Sequence, residues 1–224
     1  MVKELPTPLK RTDPNEQIKT NTSKVYLFTK RLIDILLSIL GLTFLLPLMI
    51  LVAFLIKFED PKGKVIFKQI RVGKCGKPFY MYKFRSMVAD AEELKVLLLE
   101  KNESTGPIFK MKNDPRVTKI GKIIRKTSFD ELPQLLNVLK GEMSLVGPRP
   151  PLPQEVEQYT TYQMQRLMVQ PGLTCYWQVN GRSNIRFEEW VELDIEYIRN
   201  RNLWVDLKLI LKTIFVLWGS KGAY

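Results

Sequence analysis

From Ile35 to Ile56 the chain carries no charged residue, and this run constrains the fold more than any other part of the sequence. A stretch of that length matches the thickness of a hydrocarbon core. It is too long for a secretory signal, and no small-residue cleavage site follows it. A spanning helix is the simplest reading, and Pro47 within the run does not exclude one. Two features favour another topology. Pro47 removes the hydrogen bond to the carbonyl of Thr43, which kinks or breaks a helix. Basic residues also stand on both flanks: Lys24, Lys30 and Arg31 before, then Lys57, Lys62, Lys64, Lys68 and Arg71 after. Positive charge marks the cytoplasmic side, so both ends qualify, and a segment that enters and returns satisfies them together. On the residues alone, spanning and re-entrant geometries both stand.

The rest of the 224 residues makes one domain of ordinary size with a tail. Met1 to Ser23 holds three prolines and no sustained apolar period, and reads as a loose tail. The expected organisation is a tail over 1–23, the membrane segment over 24–58, and a membrane-associated catalytic domain over 59–224. "KVIFKQIRVG" and "KPFYMYKFRSM" alternate around Gly73–Gly76, which predicts a β-hairpin. Helices are expected over Ala89–Glu100, over Ser128–Leu139 with a Ser128/Glu131 capping box, and over Phe187–Ile198 and Leu203–Trp218. The last is amphipathic, with Trp204 and Trp218 at its ends; it suits a membrane interface and equally a packed core. The fold class is therefore α+β and mainly helical.

Charge and missing residue types narrow the chemistry. Lys and Arg number 35 against 23 Asp and Glu, a formal charge of +12, which favours anionic partners. Histidine is absent, so acid–base or metal chemistry falls on carboxylates, lysines, tyrosines or two cysteines. Cys75 and Cys175 match no zinc spacing and read as idle or buried thiols. The positive residues are spread along the chain without a nucleic-acid fold signature, so no nucleic-acid partner is expected. A non-catalytic basic membrane-binding module remains an alternative.

Within this basic chain, "TSFDELPQLLNVLKGEMSLVGPRP" places Asp130 and Glu131 side by side. Acids near a helix N-terminus stabilise the dipole without any catalysis. Here Lys122, Arg125 and Lys126 precede the pair and Arg149 follows, a setting that suits a divalent metal with phosphates. Pro148 and Pro150 restrict the backbone around Arg149, so its planar fork is presented at little entropic cost to a diphosphate or carboxylate. Lys83 and Arg85 of "YKFRSM" share one strand face if the hairpin forms; a charged strand edge explains them too. Arg182 follows the Asn180–Gly181 turn of "QPGLTCYWQVNGRSN".

"KFRSM", "GPIFKMKNDPRVTKIGKIIRKTSFDELPQLLNVLKGEMSLVGPRP" and "QPGLTCYWQVNGR" together resemble the bacterial sugar transferases, the small monotopic polyprenyl-phosphate phosphoglycosyl transferases. The likeness runs from about Lys24 to the C-terminus and includes the apolar segment. It implies a minimal catalytic unit on the cytoplasmic face of the bacterial inner membrane, with residues 24–58 forming a Pro-broken re-entrant helix whose two ends are both cytoplasmic. There a UDP-sugar gives its sugar-1-phosphate to undecaprenyl phosphate and UMP leaves, as the first membrane step of exopolysaccharide, capsule or other surface-glycan synthesis. By the resemblance Asp130 is the nucleophile, forming a covalent phosphosugar-aspartate, and Glu131 helps hold Mg²⁺. Pro148, Arg149 and Pro150 correspond to a substrate-binding motif. Lys83, Arg85, Arg125 and Arg182 match basic positions that meet phosphates. Direct attack by the lipid phosphate is the alternative route. The "GPIFKMKNDPR" stretch is similar to members that transfer hexose-1-phosphates such as those of glucose or galactose, with N-acetylated sugars still open. One departure stands out: relatives often carry serine just before the mid-segment proline, and here that residue is Leu46, with Thr43 available to bond a carbonyl one turn back and assist the bend.

Overall fold

The apolar run lies in one long helix. The computed structural model describes residues 17–103, 109, 111, 113–180 and 186–218. Helix α1, Lys24–Glu59, is 36 residues long and contains Pro47. The proline therefore does not divide the segment into two helices. Its fixed φ fits a helix, and the cost is one missing bond rather than the whole turn. Both halves of α1 are tied to the rest of the chain. In the first half Tyr26, Lys30, Asp34 and Ser38 are buried at four-residue spacing, and in the second half Val52 and Ile56 are. None of residues 39–51 is fully buried, and Phe44, Leu46, Pro47 and Ile50 are exposed around the middle.

The expected hairpin is present. Strands β1 (Ile66–Val72) and β2 (Pro78–Phe84) pair antiparallel, with Phe67 opposite Lys83 and Arg71 opposite Phe79. A turn at Lys74–Gly76 joins them, and Cys75 and Gly76 both take positive φ there. Cys75 is exposed and Cys175 buried, and both are free thiols. Helix α2 covers Ala91–Leu97, shorter than expected, because the chain tightens into a 3₁₀ turn at Leu99–Lys101. Helix α3, Lys119–Lys126, starts at Thr118, whose hydroxyl accepts the Gly121 N–H, and its amide ends Lys119 and Ile120 donate to the Glu59 carboxylate of α1.

Helix α4, Gln134–Lys140, closes on Gly141 in the left-handed region. A short parallel pair then follows, β3 (Ser144–Val146), with helices α5 (Pro153–Val156) and α6 (Thr161–Met164) before its partner β4 (Gly172–Thr174). Neither strand was legible in the sequence. Gly147 and Gly172 let the two backbones meet: a Cβ on Gly172 would sit 2.0 Å from the Gly147 nitrogen. Helices α7 (Tyr176–Asn180), α8 (Phe187–Asn200) and α9 (Leu203–Trp218) complete the chain.

The main core lies between these elements, where Val138, Val146, Ile195 and Ile198 are essentially inaccessible, each worth about 1.5–3 kcal/mol of burial. A second cluster joins Val52 and Ile56 of α1 to Phe84 and Ile124. Charged contacts fix α1 as well. Asp206 of α9 accepts from Lys30 at 3.0 Å, Tyr26 at 2.9 Å and Tyr197 at 2.7 Å, while Asp34 accepts the Leu145 N–H. The last residues of the expected loose tail are not loose. Ile18 is buried, its N–H donates to Gln165, and Thr20 donates to the Ile198 carbonyl.

Candidate active site

The acid pair sits on a 3₁₀ turn, Phe129–Glu131, wedged between α3 and α4. The single helix expected over Ser128–Leu139 is not formed. Ser128 takes φ 59°, in the left-handed region, and its side chain makes no cap. Pro133 then restricts the entry to α4, so the chain turns tightly before the helix starts. The Glu131 carboxylate accepts from Lys83 at 2.7 Å.

Lys83 serves both acids. Its ammonium lies 2.7 Å from Glu131 Oε1 and 3.9 Å from Asp130 Oδ2. The tight turn thus brings neighbouring carboxylates to one cation, although neighbours on an α-helix diverge. Asp130 is the deeper of the two, with its side chain 11% exposed against 34% for Glu131. Burial pushes the Asp130 carboxyl up to about 6; Lys83 opposes this, the Glu131 charge adds to it, and Arg125 opposes it. Arg125, in the last turn of α3, is the second cation near the pair and is half-buried. Two neighbouring carboxylates offer oxygen ligands that would suit a divalent ion, and Lys83 and Arg125 stand where they can offset phosphate charge.

The Pro-Arg-Pro loop is built differently. The Gly172 N–H donates to the Pro148 carbonyl at 2.8 Å, Arg71 donates to the Pro150 carbonyl at 3.0 Å, and the Val72 N–H donates to the Pro151 carbonyl. Arg149 is held as a fork on Glu155, at 2.9 and 3.3 Å, and its guanidinium lies 5.0 Å from the Trp190 ring centre. Burial works to raise the Glu155 carboxyl, yet Arg149, Arg71 and the Leu152 N–H bring it below the usual range. Beyond Trp190, Arg166 pairs with the fully buried Asp194 at 2.7 Å. The sequence presents Arg149 as a free fork; the fold presents it already seated.

Hairpin register connects the two parts. Gln69 and Arg71 share the face of Lys83, because Phe67 pairs with Lys83 and residues two apart point the same way. Four residues of strand put about 13 Å between the Lys83 and Arg71 positions along the ribbon. Arg71 is fixed by Gln69 Oε1 and by Pro150, and burial followed by the Arg149 charge pushes it down to about 9 while Glu155 and Glu131 pull the other way. A polar strip therefore runs from the acid pair to the arginine loop.

Arg85 does not join this strip. It donates to Asp60 at 2.6 Å and to the Asp60 carbonyl, closing the end of α1, and Gly63 leaves room for the guanidinium. Arg182 lies outside the described residues. Sequence reasoning missed Gln69, Arg71, Glu155 and Trp190. Gln69 and Arg71 were readable in principle from strand alternation, and Glu155 from its place two residues after Pro153. Nothing local marks Trp190.

The fold and the site together join one long apolar helix to a separate acidic, cation-bordered site. The chain belongs to the bacterial sugar transferase family, whose profile matches residues 25–220. It is 50% identical over 200 residues to the galactosyl transferase CpsE of Streptococcus agalactiae, covering 88% of this chain and 44% of that protein. It is 43% identical over 203 residues to the UDP-glucose:undecaprenyl-phosphate glucose-1-phosphate transferase of Klebsiella pneumoniae, covering 87% and 41%. It is 40% identical over 200 residues to the exopolysaccharide production protein ExoY of Sinorhizobium fredii, covering 88% of both. The chain thus spans less than half the length of the first two relatives and most of the third.

Proposed function

We propose that this protein transfers a sugar-1-phosphate from a UDP-sugar to undecaprenyl phosphate and releases UMP, the first membrane step in making an exopolysaccharide or capsule. The observation that carries this reading is the Asp130–Lys83–Glu131 arrangement, a buried carboxylate poised near neutrality beside one shared cation. The names of the Klebsiella and Streptococcus relatives supply the reaction class.

Asp130 attacks the sugar-bearing phosphorus of the donor. The new bond joins Asp130 Oδ to phosphorus, the bond to the bridging oxygen breaks, and UMP leaves with that electron pair. An oxygen of the acceptor phosphate next attacks the same phosphorus and returns the carboxylate of Asp130, leaving a polyprenyl diphosphate sugar. Carboxylate nucleophiles of this kind are known in other phosphoryl transfers. Arg149, seated by Glu155 and Trp190, holds the diphosphate, and Arg71 and Lys83 line the approach. Glu131 is the residue that would hold Mg²⁺. The donor set fits, since Mg²⁺ takes one or two carboxylates and completes its shell with water and phosphate. When bound it offsets the charge of the diphosphate. Arg85 serves to close α1 in this structure, and its phosphate role in the resemblance would require release from Asp60.

The way α1 is held supports a re-entrant topology. A straight helix from Arg31 to Glu59 would run about 42 Å, longer than a hydrocarbon core is thick. Yet Arg31 donates to the Val138 and Leu139 carbonyls while Glu59 accepts from α3, so one body holds both ends. Crossing the bilayer would drag that body through it. The exposed apolar middle around Pro47 instead dips into one leaflet with both ends on the cytoplasmic side, a monotopic, re-entrant arrangement. Cysteines placed at Lys24 and Lys57 should label from the same side; labelling from opposite sides restores the spanning helix.

Turnover is tested with purified protein in nanodiscs, reading UMP released from a panel of UDP-sugars with undecaprenyl phosphate and Mg²⁺. Sustained release that continues past one equivalent only when the acceptor is present, and that is lost without Asp130, supports the reaction. Salt-dependent lipid binding with no turnover of any donor supports the basic-module alternative.

A further inference from the structure

On the other side of the hairpin from Lys83 lies an open groove of about 510 Å³, lined by Ile66, Lys68, Tyr82, Pro133, Leu136, Leu139 and Lys140. Its floor is apolar, and its rim carries two cations on one ring. Lys140 donates to the Tyr82 hydroxyl at 2.6 Å and sits 4.5 Å from the ring centre, while Lys68 lies 5.6 Å from that centre. Neither lysine forms an ion pair among the described residues. Two ammonium groups with no carboxylate at ion-pair distance among the described residues, Glu142 acting on Lys140 only from farther away, stand above an apolar floor and complement an amphiphile with an anionic head.

Register decides whether the occupant is a reactant. Lys68 pairs with Tyr82 and Ile66 with Phe84, so their side chains share one face of the ribbon; Phe67 and Lys83 share the opposite face, with Asp130 and Glu131. A phosphate between Lys68 and Lys140 is screened from Asp130 by the hairpin itself. Membrane access comes from α4, whose outer residues Leu136 and Leu139 floor the groove and whose carbonyls at Val138 and Leu139 take Arg31 of α1. The groove thus opens within about one helix width of the apolar segment. Leu136, and Ile70 and Tyr80 on the same hairpin face, are exposed and extend its apolar margin.

We propose that this groove holds one anionic phospholipid of the surrounding membrane, its head-group phosphate between Lys68 and Lys140 and an acyl chain along Ile66, Leu136 and Leu139. The site is separate from the one that binds the reacting lipid, and it clamps the hairpin edge and α4 to the bilayer surface.

The test uses the full chain in a neutral detergent, titrated with dioctanoyl phosphatidylglycerol or dioctanoyl phosphatidylcholine and read by native mass spectrometry. Wild type retains one phosphatidylglycerol in preference to phosphatidylcholine. Lys68→Ala and Lys140→Ala each weaken that retention about fivefold, and Lys68→Arg retains it. Equal retention of the two lipids, or an unchanged double variant, overturns the proposal. Displacement by inorganic phosphate at matching concentration also overturns it, marking a free-phosphate site. A raised KM for undecaprenyl phosphate in the double variant, with phosphatidylglycerol binding intact, overturns it in favour of an acceptor site. Loss of transferase activity in wild type would count against the reaction above and not against this groove.

Discussion

The acid pair and the Pro-Arg-Pro loop stand at opposite ends of one polar strip, and they are finished to different degrees. At the loop every charge has a partner: Arg149 on Glu155, Arg71 on Gln69 and Pro150, Arg166 on Asp194. At the acid pair two carboxylates share Lys83, and Asp130 stays near the edge of ionisation. A clamp works best when it is set before the ligand arrives, since preorganised donors need no rearrangement in the reaction. A nucleophile needs the reverse, a carboxylate whose charge is not fully spent on its neighbours. The contrast assigns binding to one end and chemistry to the other.

Removing the nucleophile is the largest way to break this division. Asp130→Asn should lower UMP release at least about 10³-fold in the nanodisc assay while the melting temperature holds. Full activity in that variant returns Asp130 to an assisting role. Next, Asp194→Ala leaves Arg166 buried without its partner and should cost about 3–5 kcal/mol, read by chemical denaturation. An equal loss at the exposed Glu189 partner of Arg186 would mean that burial is not the deciding factor.

Glu155→Gln tests the clamp without removing Arg149. One charged hydrogen-bonded pair is worth about 1.5–3 kcal/mol, so KM for the donor should rise about 10- to 100-fold with a smaller change in kcat. A kcat effect alone would place Glu155 in the chemistry. The smallest effect concerns pH. Burial raises Asp130 above an ordinary aspartate, so the folded chain binds an extra proton between about pH 4 and 6, and stability contributed by this group falls as pH rises through that window. Donor kcat/KM in the free enzyme should climb through about pH 6 as the carboxylate ionises. Glu131→Gln removes a neighbouring negative charge and should move that limb lower, while Lys83→Met should move it higher. Movement of both in one direction would contradict the electrostatic account.

The same contrast explains what the sequence could reveal. The alternating hairpin, the long apolar helix and α9 were readable because each rests on a period carried by its own residues. The acid pair was visible because it is adjacent in the chain. The Ser128 cap failed because Pro133 and the left-handed Ser128 turn override a good local signature. β3 and β4 were invisible since each spans only three residues and is defined by a partner nearly thirty positions away. Trp190 was out of reach for the same reason: its role exists only after α8 folds against the loop that carries Arg149. Arg85 shows the converse. Its spacing from Lys83 is right, yet the end of α1 takes its charge first.

The most direct measurement is intact-protein mass after incubation with UDP-sugar and Mg²⁺ before any acceptor is added, followed by mapping of the modified peptide. The account predicts a gain of one phosphosugar on the Asp130 peptide, discharged by undecaprenyl phosphate and absent in Asp130→Asn. Turnover that proceeds with no mass gain at any time, and UMP appearing only once the lipid is present, would contradict it.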